Sequence, residues 1–293
     1  MKKVLVFGGT RFFGKKLVDL LLGNGDLVTI ATRGITKDDF GDRVSRIIVD
    51  RTSVTSMNEH FSGLQTWDVI YDNICYSSNE AKIAVDLFKG KVKKYVFTST
   101  ISVYGFGKGK LIERDFDSST YPIRMISRPD ADYGEGKRMA ESFFIQNAPF
   151  SVVAPRFPIV LGLDDFTKRL HFHIERVSKG LNVGFHTLDA KISFITSTEA
   201  ADFLFWVGNN DVVGPINACS NGEILLEELI SWIERETGKR ALVIENQEGE
   251  SSSPFGIPEN WYMSNDRARI TGFDFKDLKE WLPKLVHNIF HAI

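Results

Sequence analysis

Cysteine is scarce in this chain: two residues, Cys75 and Cys219, in 293. Both fall inside apolar, strand-like runs, so they read as buried free thiols of a reducing compartment and not as a disulfide framework. Long hydrophobic runs are also missing. "MKK" leads into only four apolar residues, Val4 to Phe7, before the first glycines. That is too short for a signal-peptide core, and no stretch approaches the ~18 residues of a membrane span. A cytoplasmic protein is the expectation. There is no basic surplus either, with 36 Lys and Arg against 38 Asp and Glu. Nucleic-acid binders usually carry such a surplus or a basic face, so that class is disfavoured. The densest basic run, "KGKVKK" (Lys89 to Lys94), reads as a solvated turn. Metal-ligand spacing is absent from "RLHFHIERV": His171 and His173 are two apart and lie on different helix faces. No metal site is expected there or elsewhere.

What the chain does have is a rhythm. Strand-like runs at "KVLVFG", "LVTIAT", "RIIVD", "DVIYDNIC", "KYVFTS" and "FSVVAPR" alternate with helix candidates near residues 12–23, 53–63, 79–89 and 133–147. Several runs are apolar throughout, as strands buried on both faces of a parallel sheet are. The pattern predicts an α/β, Rossmann-type doubly wound parallel sheet over residues 1–156. A smaller C-terminal portion, 157–293, follows, and a segment near 190–208 returns to complete the first domain. In that second half the spacing predicts helices over 164–180, 197–209, 225–240 and near 275–291, strands at "KISFIT" and "GPINACS", and a loop over 246–261.

The first strand runs directly into "GGTRFFG" (Gly8 to Gly14) and then a helix. Strand, glycine turn and helix N-terminus together form a phosphate cradle. Gly8 permits the sharp exit from the strand. Gly14 lets the helix pack close, and the turn residues Gly9, Thr10, Phe12 and Phe13 line the path of a pyrophosphate. Arg11 stands where a middle glycine is usual. The second strand ends in Thr32 and Arg33, where binders of the unphosphorylated dinucleotide usually place an acid to hold the ribose 2′-hydroxyl. With no carboxylate there and two guanidinium groups at hand, the residues favour NADP(H), NADPH over NADH, with NAD as the alternative. Each charge-assisted bond to a 2′-phosphate contributes roughly 1.5–3 kcal/mol.

Tyr-x-x-x-Lys occurs twice, at "YGFGK" (Tyr104 to Lys108) and "YGEGK" (Tyr133 to Lys137). A phenol titrates near pH 10 unless a nearby ammonium favours the phenolate, and the pair must share a helix face to do so. "YGFGKGK" continues as a loop. "YGEGKRMAESFFIQN" continues as a helix, so Tyr133 and Lys137 are the candidates for proton transfer, a step worth ~10²–10⁴-fold.

With "VFGGTRFFG", "FTSTISVYG", "YGEGK", "APRFPIVLG", "FITSTEAADFL" and "GPINACS" in this order, the chain resembles the extended short-chain dehydrogenase/reductase (NAD-dependent epimerase/dehydratase) family over nearly its whole length. The "GGTRF" form is similar to a divergent branch that includes reductase-like proteins and plant stem-loop RNA-binding proteins. "DNICY" departs from the small residues usual after the fourth strand. The resemblance implies that Thr100, or the adjacent Ser99 as the alternative, meets the reacting oxygen. It implies that Tyr133 is the general acid/base and that Lys137 binds the nicotinamide ribose. Asp50 and Arg51 would lie beside the adenine, and Pro155 and Arg156 near the nicotinamide pocket. It also implies a substrate-binding second domain and dimerisation through the helices near 79–89 and 133–147.

Three readings of function follow. One is an NAD(P)-dependent epimerase/dehydratase-like oxidoreductase acting on a small molecule, a nucleotide-sugar-like substrate, by hydride transfer with a tyrosine acid/base; an NADPH-dependent carbonyl reductase is its close variant. Another is a repurposed RNA stem-loop binder, against which the acidic balance and the intact Thr100–Tyr133–Lys137 set both count. The third is an NADP-sensing regulator, which would need the nucleotide site and not Tyr133.

Overall fold

Five residues of β1 (Lys3–Phe7) set the centre of the architecture. Val4, Leu5, Val6 and Phe7 are all fully buried, so the strand is covered on both faces, as its unbroken apolar run requires. In the computed structural model, which describes residues 1–245 and 248–293, β1 pairs in parallel with β2 (Leu27–Thr32) on one side. On the other side it pairs with β4 (Trp67–Asp72). Outside these lie β3 (Ser45–Ile48), β5 (Val92–Phe97), β7 (Ser151–Phe157) and β12 (Gly214–Asn217), with the short β6 (Ser99–Thr100) beside β7. The strand order is β12-β7-β5-β4-β1-β2-β3, and every pairing in this sheet is parallel. This is the expected doubly wound sheet. Its order reverses between β1 and β4, the place where such sheets bind ligands at the carboxyl ends of their strands.

The connecting helices are α1 (Phe12–Gly23), α2 (Val54–Phe61), α3 (Ser78–Phe88) and α4 (Tyr133–Asn147). Ser53, Ser77 and Asp132 cap the last three through their side chains. The first compact unit comprises Met1–Tyr104, Glu113–Phe157 and Ala200–Ala218, the last a segment that returns from the second half of the chain. It carries most of helix α6 (Ser197–Asn209) and all of β12.

The second unit comprises Gly105–Ile112, Pro158–Glu199 and Cys219–Ile293. Its long helices, α5 (Arg169–Lys179), α7 (Leu226–Thr237) and α9 (Leu278–Phe290), enclose a core that includes Ile174, Val177, Leu229, Ile233, Leu282 and Val286. Short strand pairs join β8 (Ile159–Leu161) to β11 (Phe194–Thr196) and β9 (Asn182–Phe185) to β14 (Leu242–Glu245). β10 (Lys191–Ile192) pairs with β13 (Ile224–Leu225), and a short α8 (Asp266–Ile270) completes the unit. "KISFIT" is therefore two strands divided at Ser193, whose hydroxyl accepts from the Met263 amide at 2.9 Å. Of the expected loop 246–261, positions 246–247 lie outside the described residues. Cys75 and Cys219 are buried free thiols. No helix among the described residues is long and apolar enough to cross a membrane.

Candidate functional site

The glycine turn leaves β1 with Gly8 at φ +79°, a conformation that a side chain would strain. A Cβ on Gly14 would lie 2.1 Å from the Gly8 carbonyl oxygen, so only glycine lets α1 begin this close to the strand it follows. Gly9 is buried against Val18, Ile30 and Val6. Phe12 opens the helix at φ +53°, a strained position for a bulky residue, and its ring lies against that of Phe13. Strain of this kind concentrates at functional turns. Arg11 is the exposed N-cap of α1.

Around the switch point the first unit holds a cavity of about 340 Å³, within the range of small-molecule sites. Gly8 and Thr10 come to its wall from the turn, Thr32 and Arg33 from the end of β2, and Asp50, Arg51 and Thr52 from beyond β3. Arg11 stands outside that lining. Thr52 donates to Asp50 through its hydroxyl and amide, and together with the Arg33 and Arg128 guanidinium groups this holds the Asp50 carboxyl below the usual carboxylate range.

Residues that the sequence analysis passed over complete the wall: Ile35, Thr36, Val49, Ile74, Tyr76 and Arg128. Arg128 pairs with Glu80 and donates to the Ile74 carbonyl at 2.6 Å, and its guanidinium stacks 4.5 Å from the Tyr76 ring centre. Asn73 was missed as well. Its Oδ1 accepts from Thr98 at 2.7 Å, while its buried Nδ2 has no partner and lies beside the Gly14 Cα. A buried donor without a partner costs roughly 1–3 kcal/mol, and this one lies next to the glycine turn. The strained turn, the orphan amide and the cavity fit the phosphates and adenosine of a dinucleotide.

Of the expected cofactor contacts, Arg156 and Ser99 are turned to the protein, and Arg51 is partly so. Arg51 lines the cavity; its Nε and Nη2 donate to Asp72 at 3.0 and 2.7 Å, while its buried Nη1 has no partner in the protein. It anchors the end of β4. Arg156 is fully buried on Glu141, the Tyr104 hydroxyl and the carbonyls of Glu113 and Phe116. These acceptors use all five of its N–H donors, and none remains for a cofactor. Pro155 is buried beside it in β7. Ser99, too, is buried and donates to Glu141, so it is held by the protein and not turned to a ligand.

The two glycines of "YGEGK" explain where α4 lies. A Cβ on Gly134 would come 2.8 Å from the Ser102 carbonyl, and one on Gly136 would come 2.4 Å from that of Tyr76. The first turn of α4 is thereby pressed against the segments after β4 and β6. Tyr133 stands on the surface, 53% exposed, with its ring 5.8 Å from that of Tyr76. Lys137, one turn on, is 1% exposed. Its Nζ donates to the Thr98 carbonyl at 2.6 Å and lies 4.5 and 4.8 Å from the ring centres of Tyr76 and Phe97. Burial brings its ammonium down to about pH 8. The Thr100 side chain caps the short turn Ile101–Val103, accepting from the Ser102 amide at 3.1 Å. Tyr104, in the other Tyr-x-x-x-Lys, is spent structurally: its hydroxyl donates to Asn217 at 2.7 Å and accepts from Arg156, and burial raises its phenol.

Residues 4–219 match the NAD-dependent epimerase/dehydratase family. The chain belongs to that family. A curated relative, the chloroplast stem-loop binding protein of 41 kDa b of Arabidopsis thaliana, is 32% identical over 116 residues. That likeness covers 35% of this chain and only 30% of the relative. Among solved structures, UDP-glucose 4-epimerase of Thermus thermophilus, in complex with NAD, superposes with a TM-score of 0.71 at 19% identity, covering 99% of this chain and 100% of that one. UDP-glucose 4-epimerase of Thermotoga maritima, with UDP-glucose, gives 0.77 at 17% identity and 99% of both chains. At these identities the likeness establishes the fold.

Proposed function

We infer that the protein is a nicotinamide-dinucleotide-dependent oxidoreductase of the epimerase/dehydratase type, acting on a nucleotide-sugar substrate. The observation that carries this reading is the switch-point cavity, where the glycine turn, Thr32, Arg33 and Asp50 meet. The epimerases that share the fold, one solved with NAD and another with UDP-glucose, support the cofactor and substrate class.

In this reading the turn and the Asn73 amide hold the pyrophosphate, and Asp50 and Tyr76 flank the adenosine. Arg33, with Arg11 as a second cation, favours a 2′-phosphate, so NADP(H) is the proposed cofactor. Bound nicotinamide supplies a reversible hydride acceptor. The Tyr133 phenol takes and returns the proton of the substrate oxygen, which Thr100 orients. Lys137 keeps two N–H groups beyond its bond to Thr98, and these serve the nicotinamide ribose. Substrate recognition falls to the second unit. Replacing Tyr133 by Phe removes the acid/base and leaves the fold, so kcat should fall about 10²–10⁴-fold. A loss of less than tenfold in steady-state assays with UDP-sugars would overturn the assignment.

RNA binding is the second reading, favoured by the stem-loop binding relative. It requires an RNA affinity that falls steeply with salt; the net charge of −2 opposes it.

A further inference from the structure

Helix α9 carries His287 and His291 four residues apart, so both imidazoles rise from one face. Helix α7 brings Glu236 up to them. Glu236 Oε1 lies 2.8 Å from His287 Nδ1 and 3.2 Å from His291 Nε2, and the two imidazole centres are 4.3 Å apart. Among the described residues this is the one trio of potential ligands whose donor atoms come together, all within 4.8 Å of one another. The histidines are half-exposed, with side-chain accessibilities of 56% and 58%, and Glu236 is partly covered at 24%.

Two independent features favour a cation here. The donor set, two imidazole nitrogens and one carboxylate oxygen, is that of zinc sites that keep a fourth position open. Ligand atoms around a tetrahedral Zn²⁺ stand ~3.3 Å apart, given bonds of about 2.0–2.1 Å, and the contacts to Oε1 are already near that spacing. The second feature is the backbone. α7 ends at Thr237, one residue past Glu236, and α9 ends at Phe290, between the last-turn His287 and the C-cap His291. The negative ends of two helix dipoles therefore meet the carboxylate at one place.

The geometry points to a divalent transition-metal site, best suited to Zn²⁺, formed by Glu236, His287 and His291 with water as the fourth ligand. Each imidazole binds as the tautomer whose nitrogen facing Oε1 carries no hydrogen, and the metal ties α9 to α7.

The full-length chain, stripped with a chelator and dialysed, should take up one Zn²⁺ in calorimetric titration and give the visible bands of tetrahedral coordination with Co²⁺. His287→Ala and His291→Ala should each weaken Zn²⁺ at least about tenfold. Zn²⁺ should raise the thermal midpoint of the wild type and not of the double variant. Because both histidines are exposed, the metal-free variants should keep the wild-type circular dichroism. Absence of saturable uptake, or uptake that survives the double substitution, would overturn the site.

Discussion

Lys137 is buried as a cation at a cost to the fold. Its ammonium titrates near pH 8 in the native state against 10.5 when solvated, because burial disfavours the charge. Below pH 8 both states are protonated and the penalty is present in full. Between about 8 and 10.5 only the unfolded state holds the proton, so stability should rise with pH there, by roughly 3 kcal/mol at most. Lys137→Met, similar in volume and uncharged, should be more stable than wild type in urea unfolding at pH 7 and should bind the dinucleotide more weakly. A variant that unfolds more easily at pH 7 would mean that the ammonium holds the fold and not the ligand.

His173 shifts in the same direction but is buried neutral at pH 7. It is stacked between Phe185 and Phe255, at 5.5 and 4.5 Å. Its Nδ1 lies 2.9 Å from the Arg169 carbonyl, which requires the N–H there, and its Nε2 lies 2.7 Å from the Ser253 hydroxyl. Burial drives the imidazolium down to about pH 3. The unfolded chain therefore binds an extra proton between about 6.5 and 3, and stability should fall across that window by up to roughly 5 kcal/mol. His173→Gln should flatten the acid limb of a stability–pH curve; an unchanged limb would contradict this.

Among the elements, the turn between β1 and α1 has the least tolerance. Gly14→Ala places a methyl 2.1 Å from the Gly8 oxygen, and either the helix moves or the turn does. Dinucleotide affinity should drop more than about tenfold while the thermal midpoint shifts by only a few degrees; wild-type affinity in titration calorimetry would refute the cradle. This element was legible in the sequence because its constraint is local, set by glycine spacing between an apolar run and a helix. So were β1, β2, β4, β5 and β7, whose apolar runs need no partner to be recognised. The five-residue α8 and the two-residue β13 were not, since elements this short are fixed by their neighbours. Arg156 and Ser99 looked like ligands because a sequence shows a polar side chain without the acid it meets; Glu141 stands 15 and 42 residues from them. The signal for Asn73 and Tyr76 was present in "DNICY", the departure from the usual small residues. His287 and His291 likewise stood four apart in "VHNIFHAI", but Glu236 is 51 residues away from His287 in sequence.

At the scale of the molecule, the parallel sheet puts the ends of β1, β2, β3 and β4 around one cavity, and the residues gathered there define a nucleotide site more surely than any single motif. That convergence is the central claim, and cofactor binding tests it. The purified protein would be denatured and any released dinucleotide identified, and the stripped protein titrated with NADPH and NADH. The account predicts saturable binding at one site, with NADPH the tighter ligand and that preference shrinking in Arg33→Ala. Recovery of tightly held NAD⁺ would contradict the role given to Arg33, and no binding of either dinucleotide would contradict the site itself.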